Sequence, residues 1–407
     1  MSPVPTTWVE GAAGSPFDID NLPYGVFTHS GEEPRVGVRI GDLVLDMAPV
    51  AAAEMLDVHH VFEESSLNPL MAEGSRVRRS LRQWLTGLLS DETERALVEP
   101  HLVPLDEVEL LLPIEVADYV DFYASLDHAT NVGKMFRPDS EPLLPNWRHL
   151  PVGYHGRAGT IVASGTEIVR PSGQRAPAPS GDGPPTPEFG PSVRLDIEAE
   201  LGFVVGSPST LGERVPTTGF ADHVFGVLGL NDWSARDIQA WEYVPLGPFL
   251  GKSFATSVSP WVTPLEALDA AWVDLPGQDP EPLPYLTEGS PRGLDIDIEV
   301  ELNGEVVSRP PYASMYWSPA QMLAHLTVNG ASLRTGDVFA SGTVSGAERD
   351  QRGSFLELSW GGKEPFADGR TFLEDGDTVT LRYTAPGTSG GRISLGEVTG
   401  TILPARP

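Results

Sequence analysis

Short runs in which apolar and polar residues alternate recur along the chain and predict a mainly β fold. In the first part, strand-like runs cover residues 24–28, 35–40 and 43–46, with turn residues between them. Residues 76–89 then carry apolar side chains at three- and four-residue spacing, which predicts a helix. We therefore expect a small β-rich unit followed by a helix.

The later part of the chain contains a hairpin and a capped helix. Residues 295–302 and 305–308 flank Asn303-Gly304, a pair typical of a tight hairpin turn. Ser318-Pro319 is a favourable helix start, and Asn329-Gly330 is a favourable helix end. These signals predict a two-stranded hairpin and one short helix.

Other segments of this part are expected to be strands or loops. The predicted strands are residues 355–360, 378–383 and 392–402. Residues 336–346 are rich in Gly, Ser and Thr, and residues 171–192 are dense in Pro, Gly and Ser. Both compositions predict loops, the second an extended one.

Residues 195–205 form the clearest predicted strand. Their alternation places Glu198 and Glu200 on one face, with Cα atoms about 6.5–7 Å apart. One interpretation is a half-exposed strand whose polar side chains face water. The other is a metal clamp, because two carboxylates on one face can converge on a hard divalent cation such as Mg²⁺ or Ca²⁺. Without a cation, like-charge repulsion would raise the pKa of at least one carboxyl group.

A second group of candidate active-site residues follows the apolar run 224–230. This run predicts a buried strand that brings Asp232 to a cleft. Ser234 is a good N-cap, and no helix breaker occurs before Pro245. A short helix is therefore expected over about residues 235–243.

Three polar residues of this predicted helix would share one face. Arg236, Gln239 and Tyr243 are spaced i, i+3 and i+7, so their side chains can point at the same small molecule. Taken singly, such residues usually face water. Their clustering with the nearby Lys252 instead indicates an active site.

Residues 118–133 are rich in groups that transfer protons or bind metals. A lone histidine usually has a structural role, but His128 lies close in sequence to Asp121 and Tyr123. This context makes His128 a candidate general base.

Charge and composition exclude several functions. The formal net charge of −30 at pH 7 disfavours nucleic-acid and anionic-membrane partners, because their binding depends on Lys and Arg neutralising phosphates. An anionic substrate would therefore need local positive charge. The chain has no cysteine, so disulfides, a thiolate nucleophile and Cys-ligated metals are excluded. Any metal must bind through oxygen or nitrogen.

The length of 407 residues predicts two domains, 1–117 and 118–407, because the composition changes near residue 118. No apolar run approaches the roughly 20 residues that span a bilayer. The N-terminus lacks a basic region followed by an apolar core, so a cytoplasmic protein is expected.

Several motifs are specific enough to compare with known families. They are Asp121-Phe122-Tyr123 with His128-Ala129-Thr130-Asn131-Val132-Gly133, Leu150-Pro151-Val152-Gly153-Tyr154-His155-Gly156-Arg157, Asp196-Ile197-Glu198-Ala199-Glu200, Asn231-Asp232-Trp233-Ser234-Ala235-Arg236-Asp237, Tyr243-Val244-Pro245-Leu246-Gly247-Pro248-Phe249-Leu250-Gly251-Lys252 and Ser341-Gly342-Thr343-Val344-Ser345-Gly346. Together they closely resemble the fumarylacetoacetate hydrolase family, over nearly all of 118–407 and more loosely before it. The resemblance implies an SH3-like N-terminal barrel, a C-terminal catalytic domain with a mixed β-roll or sandwich fold, and a homodimer.

The resemblance also implies roles for individual residues. The ligands of Mg²⁺ or Ca²⁺ would be Asp121, Glu198, Glu200 and Asp232. The general base would be His128, oriented by Glu357. Developing negative charge would be stabilised by Arg236, Gln239 and Lys252. The substrate would contact Tyr123, Arg137, Tyr154, Gln239, Tyr243 and Thr343. A second cation would lie near Lys252 and Thr256, where Ala255 replaces the glycine of the family.

The reaction implied is metal-dependent hydrolysis of a carbon–carbon bond in an anionic diketone, 4-fumarylacetoacetate, to fumarate and acetoacetate. This is the last step of tyrosine and phenylalanine catabolism. One alternative is another reaction of the family, namely acylpyruvate hydrolysis, oxaloacetate decarboxylation or keto–enol isomerisation. A second alternative is a serine hydrolase, because residues 387–391 fit the pattern G-x-S-x-G. The third is a calcium-stabilised β-sandwich binding module without enzymatic activity.

Overall fold

A computed structural model describes residues 6–177 and 186–407. The first elements are β1 (Tyr24–His29), β2 (Arg35–Ile40), β3 (Leu43–Asp46), α1 (Met47–Ala53), α2 (Asn68–Ala72), α3 (Gly74–Ser90), α4 (Arg95–Val98), β4 (Leu102–Pro104) and β5 (Val108–Leu110). Next come β6 (Tyr119–Phe122), α5 (Leu126–Phe136), β7 (Gly153–His155), β8 (Ile161–Ala163), β9 (Ile168–Val169), β10 (Ser172–Arg175), β11 (Glu188–Pro191), β12 (Leu195–Asp196), β13 (Ala199–Val205), α6 (Phe220–His223), β14 (Val224–Asp232), β15 (Ser234–Ala235), α7 (Arg236–Glu242), β16 (Thr256–Val258) and β17 (Trp261–Pro264).

The remaining elements are β18 (Trp272–Val273), β19 (Gly293–Leu294), β20 (Asp297–Leu302), β21 (Glu305–Ser308), α8 (Pro319–Thr327), β22 (Val338–Ala340), α9 (Phe355–Leu358), β23 (Thr378–Pro386) and β24 (Arg392–Leu403). Short 3₁₀ helices lie at His59–Glu63, Glu92–Glu94, Glu99–His101, Leu105–Glu107, Ala158–Thr160, Thr217–Gly219, Leu265–Leu268, Pro284–Leu286, Tyr312–Ser314 and Arg349–Gln351. The mainly β fold class predicted from the alternation is confirmed. Within the described ranges, no helix is both long and apolar enough to cross a bilayer.

The segments with the strongest sequence signals form the expected helices and strands. Strands β1, β2 and β3 and helix α3 lie where the alternation and the helical period predict them. The hairpin of β20 and β21 turns at Asn303 and Gly304, whose φ angles are 52° and 87°, as its tight turn requires. Helix α8 begins with a capping box between Ser318 and Gln321.

One large sheet connects the N-terminal unit with the rest of the chain. Its strands follow the order β4-β3-β2-β1-β17-β14-β13-β22-β6-β7, with β5 paired to β1 and β16 paired to β14 and β8. A second sheet has the order β21-β20-β23-β24-β9. Because β1 pairs directly with β17, the two predicted domains share one hydrogen-bonded sheet. The boundary at residues 117 and 118 stays a prediction.

Strands β13 and β14 are buried on both faces. Phe203 and Val227 belong to the core shared with the five-stranded sheet, whereas Val204 and Leu228 belong to the core under the N-terminal helices. This double burial explains the nearly continuous apolar run of β14. It also makes the polar residues at the ends of these strands costly to bury, unless they have a partner.

Five expectations about secondary structure were wrong in whole or in part. The predicted strand 195–205 is interrupted, because Asp196 Oδ1 accepts the N–H of Ile197 (2.8 Å) and Asn231 Oδ1 accepts that of Glu198 (3.2 Å). Ser234 is not a helix cap. It lies in the short strand β15, and its hydroxyl donates to the carbonyl of Asp232 (3.0 Å). Helix α7 nevertheless forms directly after it.

The third error concerns residues 355–360, which begin with helix α9 rather than a strand. Ser354 caps this helix by accepting the backbone N–H of Glu357. The loop expected at 336–346 contains strand β22, which is held between β13 and β6. Part of the expected loop 171–192 is the hairpin of β10 and β11. Residues 178–185 lie outside the described residues.

The two sheets approach closely at Gly229 on β14. The hydroxyl of Tyr383 on β23 donates to the carbonyl of Leu230 (3.0 Å) and accepts its N–H (3.2 Å). A Cβ atom at Gly229 would lie 2.2 Å from the Tyr383 ring. Glycine is required here by close packing between the sheets.

We expect Gly229→Ala to lower the free energy of unfolding by about 1–3 kcal/mol, because the added methyl group overpacks the interface between the sheets. The matched control is Gly87→Ala in α3, where an added Cβ meets nothing within 4 Å. That change should be neutral or stabilise by up to about 1 kcal/mol. Chemical denaturation of both variants measures the difference, and equal effects would contradict the close packing.

Candidate active site

Four carboxylates meet where the central strands end. Asp121 lies on β6, Glu200 on β13 and Asp232 at the end of β14, while Glu198 directly precedes β13. Strands β14, β13, β22 and β6 are successive neighbours in the large sheet, which brings these residues together. One oxygen from each carboxylate lies within 4.8 Å of the others, and all four residues are buried. The half-exposed interpretation of Glu198 and Glu200 is therefore wrong.

Burial and mutual repulsion perturb these acids. Burial, reinforced by Asp232, raises the pKa of Asp121 well above its ordinary range. Burial and then Asp121 do the same to the pKa of Glu200, and burial also raises that of Asp232. Burial would likewise raise the pKa of Glu198, but the charges of Lys252 and Arg236 outweigh it and lower this pKa. The positive charges of the protein therefore favour ionisation of Glu198, but they do not offset burial and repulsion at Asp121, Glu200 and Asp232.

The residues fit a hard divalent cation. Among the described residues, Asp121 Oδ1 and Glu200 Oε1 are buried oxygens without a hydrogen-bond partner. Such atoms are rare because leaving them unpaired is costly. An oxygen-only set of carboxylates is also the donor set that Mg²⁺ and Ca²⁺ prefer. A cation bound here would satisfy both oxygens and offset the repulsion.

Lys252 neutralises one side of the cluster. Its Nζ donates to Asp232 Oδ2 (2.7 Å) and to Glu198. Burial would lower the pKa of this ammonium group, but Asp232 and Glu198 outweigh burial and raise it. Lys252 is therefore a fixed positive charge beside the carboxylates.

His128 and Glu357 form a buried pair next to the carboxylates. His128 Nδ1 lies 2.6 Å from Glu357 Oε2, and His128 Nε2 lies 3.9 Å from Glu198 Oε1. Burial would raise the pKa of Glu357, but the charge and hydrogen bond of His128 outweigh it and lower that pKa. When the imidazole is neutral, its hydrogen bond to the ionised Glu357 holds the proton on Nδ1 and leaves Nε2 able to accept another.

Three residues that sequence reasoning missed hold Glu357 in place. Asn131 Nδ2 donates to its Oε1 (2.9 Å), while the hydroxyls of Ser345 (2.9 Å) and Ser354 (2.8 Å) donate to its Oε2. Two of them had a sequence signal. Asn131 follows His128 by three residues on one helix, and Ser354 precedes Glu357 in the S-x-x-E pattern of a capping box.

Helix α7 contributes further polar side chains to the site. Arg236 lies 2.8 Å from Glu198 through Nη2, and its Nη1 donates to Gln239 Oε1 (3.2 Å). Because the Gln239 oxygen is occupied by Arg236, the amide N–H groups of Gln239 remain as its donors. Arg236, Gln239 and Tyr243 line one cavity, as the i, i+3, i+7 spacing predicts.

The cavity has a volume of about 410 Å³, which suits a small organic ligand. Its lining includes His128, Lys252 and the residues predicted to contact substrate, which are Tyr123, Arg137, Tyr154, Gln239, Tyr243 and Thr343. Arg137 Nη2 donates to the carbonyl of Pro142 (2.6 Å), and Tyr154 donates to Asp232 (3.3 Å). The structure therefore brings all of these residues to one place, although their roles stay predictions.

A smaller cavity of about 130 Å³ also borders the cluster. It is lined in part by Asp232, Lys252 and Thr256, and the Thr256 hydroxyl donates to Asp232 Oδ1 (3.2 Å). The residues predicted for a second cation thus lie together around one carboxylate. Their role as a cation site stays a prediction, and the buried Ala255 is accommodated beside it.

The chain is similar to known proteins over nearly its whole length. Residues 118–402 match the family described as Fumarylacetoacetate (FAA) hydrolase C-terminal, and residues 20–113 match Fumarylacetoacetase N-terminal. The chain is 46% identical over 419 residues to a fumarylacetoacetase of Rattus norvegicus, with 98% of this chain and 99% of the relative covered. It is 43% identical over 421 residues to one of Arabidopsis thaliana, with the same shares covered.

Solved structures with the same fold are more distant in sequence. A fumarylacetoacetate hydrolase from Exiguobacterium antarcticum has a TM-score of 0.56 at 19% identity, covering 95% of this chain and 100% of that chain. A maleylpyruvate hydrolase from a Sphingobium species has a TM-score of 0.51 at 17% identity, covering 94% and 100%. These likenesses concern the fold alone.

We expect Glu200→Gln to have opposite effects on the cation-free and the cation-bound protein. The introduced glutamine side chain could still accept the N–H of Gly342, which Glu200 Oε2 accepts at 3.1 Å, and its amide would replace the unpartnered oxygen. Because burial and Asp121 raise the pKa of Glu200 above its ordinary value of 4.5, the folded protein loses stability as pH rises. The cation-free variant should therefore be more stable than the wild type, with a gap that widens above pH 4.5.

Cation affinity of the same variant should fall at least about tenfold, because a charged ligand is lost. Thermal unfolding across pH in EDTA and calorimetric titration with Mg²⁺ and Ca²⁺ measure the two effects. Glu266→Gln, which removes the same charge from a residue bonded to Arg78 instead, is the control. Unchanged cation affinity in Glu200→Gln would show that the cluster does not bind these ions.

Proposed function

The chain belongs to the fumarylacetoacetate hydrolase family, and from this membership we propose that it hydrolyses the carbon–carbon bond of 4-fumarylacetoacetate to fumarate and acetoacetate. This reaction is the last step of tyrosine and phenylalanine catabolism. The observation that carries the proposal is the buried pair of His128 and Glu357, because His128 lines a cavity of small-molecule size together with two of the four converging carboxylates, Asp121 and Glu198.

His128 is the general base of the proposed mechanism. Glu357 fixes the proton on Nδ1, so Nε2 accepts a proton from the attacking water. The water loses that proton as its oxygen attacks the substrate carbonyl. As the tetrahedral intermediate re-forms its carbonyl, the carbon–carbon bond breaks and its electron pair leaves on the departing carbon. That carbon then receives the proton from His128 Nε2.

Three donors stabilise the negative charge that develops on the attacked oxygen. They are the guanidinium of Arg236, the amide of Gln239 and the ammonium of Lys252, all of which line the cavity. Each is held before substrate arrives, Arg236 by its ion pair with Asp196, Gln239 by the hydrogen bond from Arg236, and Lys252 by Asp232. One preorganised donor of this kind is worth about 2.7–4 kcal/mol of barrier lowering.

The proposed cofactor is Mg²⁺ or Ca²⁺, held by Asp121, Glu198, Glu200 and Asp232. When bound, it would act as a Lewis acid toward the oxygens of the diketone. Lys252 and Thr256 are the proposed neighbours of a second cation.

Substrate specificity is assigned to residues that line the cavity. In this proposal, Arg137 and Tyr243 bind the anionic end of the diketone. The rest of the diketone contacts Tyr123, Tyr154 and Thr343. Arg137, Arg236 and Lys252 give this cavity the positive charge that a protein of net charge −30 needs to attract an anion.

The alternatives fit the site less well. Residues 387–391 connect β23 to β24, so a strand rather than a helix follows Ser389 and the arrangement is not a nucleophile elbow. A purely structural calcium site would not explain a buried His128–Glu357 pair facing a cavity. The other reactions of the family use related substrates, and a substrate panel distinguishes them.

We further propose that the protein works in the cytoplasm as a homodimer. Supporting a dimer, the segment 241–250 exposes several large apolar side chains, including Leu246 (94% exposed) and Phe249 (65%). Such residues often mark interaction surfaces. Sedimentation velocity of the wild type and of Leu246→Asp tests the dimer, which the substitution should weaken. Cell fractionation tests the compartment.

The decisive experiment follows the loss of diketone absorbance when purified protein meets 4-fumarylacetoacetate. We expect turnover that EDTA abolishes and that added Mg²⁺ or Ca²⁺ restores. Acylpyruvates and oxaloacetate, assayed in parallel, should be poorer substrates. Faster turnover of either compound would assign a different reaction.

His128→Ala should reduce kcat by at least about 10²–10⁴-fold, because no other group takes the proton from water. Cation affinity should not change, since His128 is not among the carboxylate ligands. The control is His325→Ala, which removes an imidazole bonded to Tyr285 outside the cavity. Steady-state kinetics with calorimetric titration separate these outcomes, and retained turnover would remove His128 from the mechanism.

A further inference from the structure

We infer that Asp196 is a positioning residue that fixes the oxyanion donor Arg236 and the base-orienting Glu357 relative to each other. The inference rests on the proposed function of these two residues. Asp196 is fully buried, and both of its carboxylate oxygens are used. It does not line the substrate cavity, so it acts through its neighbours.

Each oxygen of Asp196 accepts two N–H groups. Oδ2 accepts from Arg236 Nε (2.8 Å) and from the backbone N–H of Leu356 (3.0 Å). Oδ1 accepts from the backbone N–H of Phe355 (2.7 Å) and of Ile197 (2.8 Å). One side chain therefore connects the start of helix α7 with the start of helix α9.

These contacts determine where the two functional groups lie. Phe355 and Leu356 form the first turn of α9, and Glu357 is the next residue. Arg236 is the first residue of α7, and β12 pairs with β15 so that Asp196 lies opposite Ser234. A displacement of Asp196 would move the guanidinium and the Glu357 carboxylate together.

The site requires an aspartate rather than an asparagine. All four partners are donors, and an ionised carboxylate is the side chain that only accepts. In Asp196→Asn, the amide N–H groups would face either Arg236 and Leu356 or Phe355 and Ile197. In both orientations two buried donors lose their acceptor, so one or both helices must shift.

The consequence should appear in kcat rather than in KM. Arg236 keeps its ion pair with Glu198. Most residues proposed to contact the substrate lie outside α7 and α9, namely Tyr123, Arg137, Tyr154 and Thr343. A misplacement of about 1 Å at a reacting group can reduce the rate about 10²-fold. We therefore expect Asp196→Asn to lower kcat about 10²-fold and to leave KM nearly unchanged.

The control for losing a buried carboxylate is Asp377→Asn. Asp377 also accepts hydrogen bonds, from Asn303 Nδ2 (2.8 Å) and the backbone N–H of Glu374 (2.8 Å), and it does not line the cavity. This variant should lose stability but keep kcat. Equal losses of kcat in both variants would show that Asp196 has a structural role only.

A double-mutant cycle tests whether Asp196 acts through Arg236. In an Arg236→Gln background, Asp196→Asn should reduce kcat less than in the wild type, because one of the two groups that Asp196 positions is gone. Additive losses would overturn the inference. If Asp196→Asn does not fold, Asp196→Glu is used, and kcat equal to that of the wild type would likewise overturn it.

A spectroscopic measurement separates this inference from the proposed reaction. The short hydrogen bond between His128 Nδ1 and Glu357 should give a downfield imidazole proton in ¹H–¹⁵N NMR, assigned by its loss in His128→Gln. Asp196→Asn should shift this signal, whereas Asp377→Asn should not. If the wild type is inactive but the signal shifts, the proposed function fails and the positioning role stands. An active wild type with an unshifted signal and unchanged kcat overturns the positioning role alone.

Discussion

The burial of four carboxylates at one point is the constraint on which the rest of the site depends. Bringing Asp121, Glu198, Glu200 and Asp232 together without water is unfavourable unless positive charge accompanies them. Lys252 and Arg236 supply part of that charge, mainly to Glu198 and Asp232. Asp121 and Glu200 each keep an unpartnered oxygen among the described residues. A divalent cation would supply the remaining positive charge and bind these two oxygens.

The sheet makes this convergence possible. Strands β6, β13 and β14 come from separate parts of the sequence, and pairing through β22 places their ends side by side. Both faces of β13 and β14 pack in apolar cores, so the strands are held rigidly. A site built on rigid strands keeps like charges close together, where flexible loops would let them move apart.

Around the carboxylates, the catalytic groups are held by hydrogen bonds to other side chains. Glu357 accepts from Asn131, Ser345 and Ser354 as well as pairing with His128. Arg236 is bound by carboxylates that are themselves buried. Networks of this kind fix the protonation state and orientation of each group before substrate binds, which removes the need for reorganisation during the reaction.

The sequence by itself determined the features that depend on neighbouring residues. Alternation predicted β1, β2 and β3, the pair Asn303-Gly304 predicted the hairpin, and the spacing of Arg236, Gln239 and Tyr243 predicted a shared face. It also indicated a metal clamp at Glu198 and Glu200, since two carboxylates at i and i+2 lie on one side of a strand. The motifs identified the family and hence the other members of the cluster.

Only the tertiary structure decided the features that depend on partners distant in sequence. The predicted strand is interrupted at Asp196, whose oxygens accept N–H groups of α9, about 160 residues later, and the guanidinium of α7. Glu357 lies on a capped helix rather than a strand because Ser354 and Asp196 satisfy the first N–H groups of that turn. Local propensity and periodicity describe only neighbouring residues. Which buried donor meets which acceptor is settled by the packing of the whole sheet.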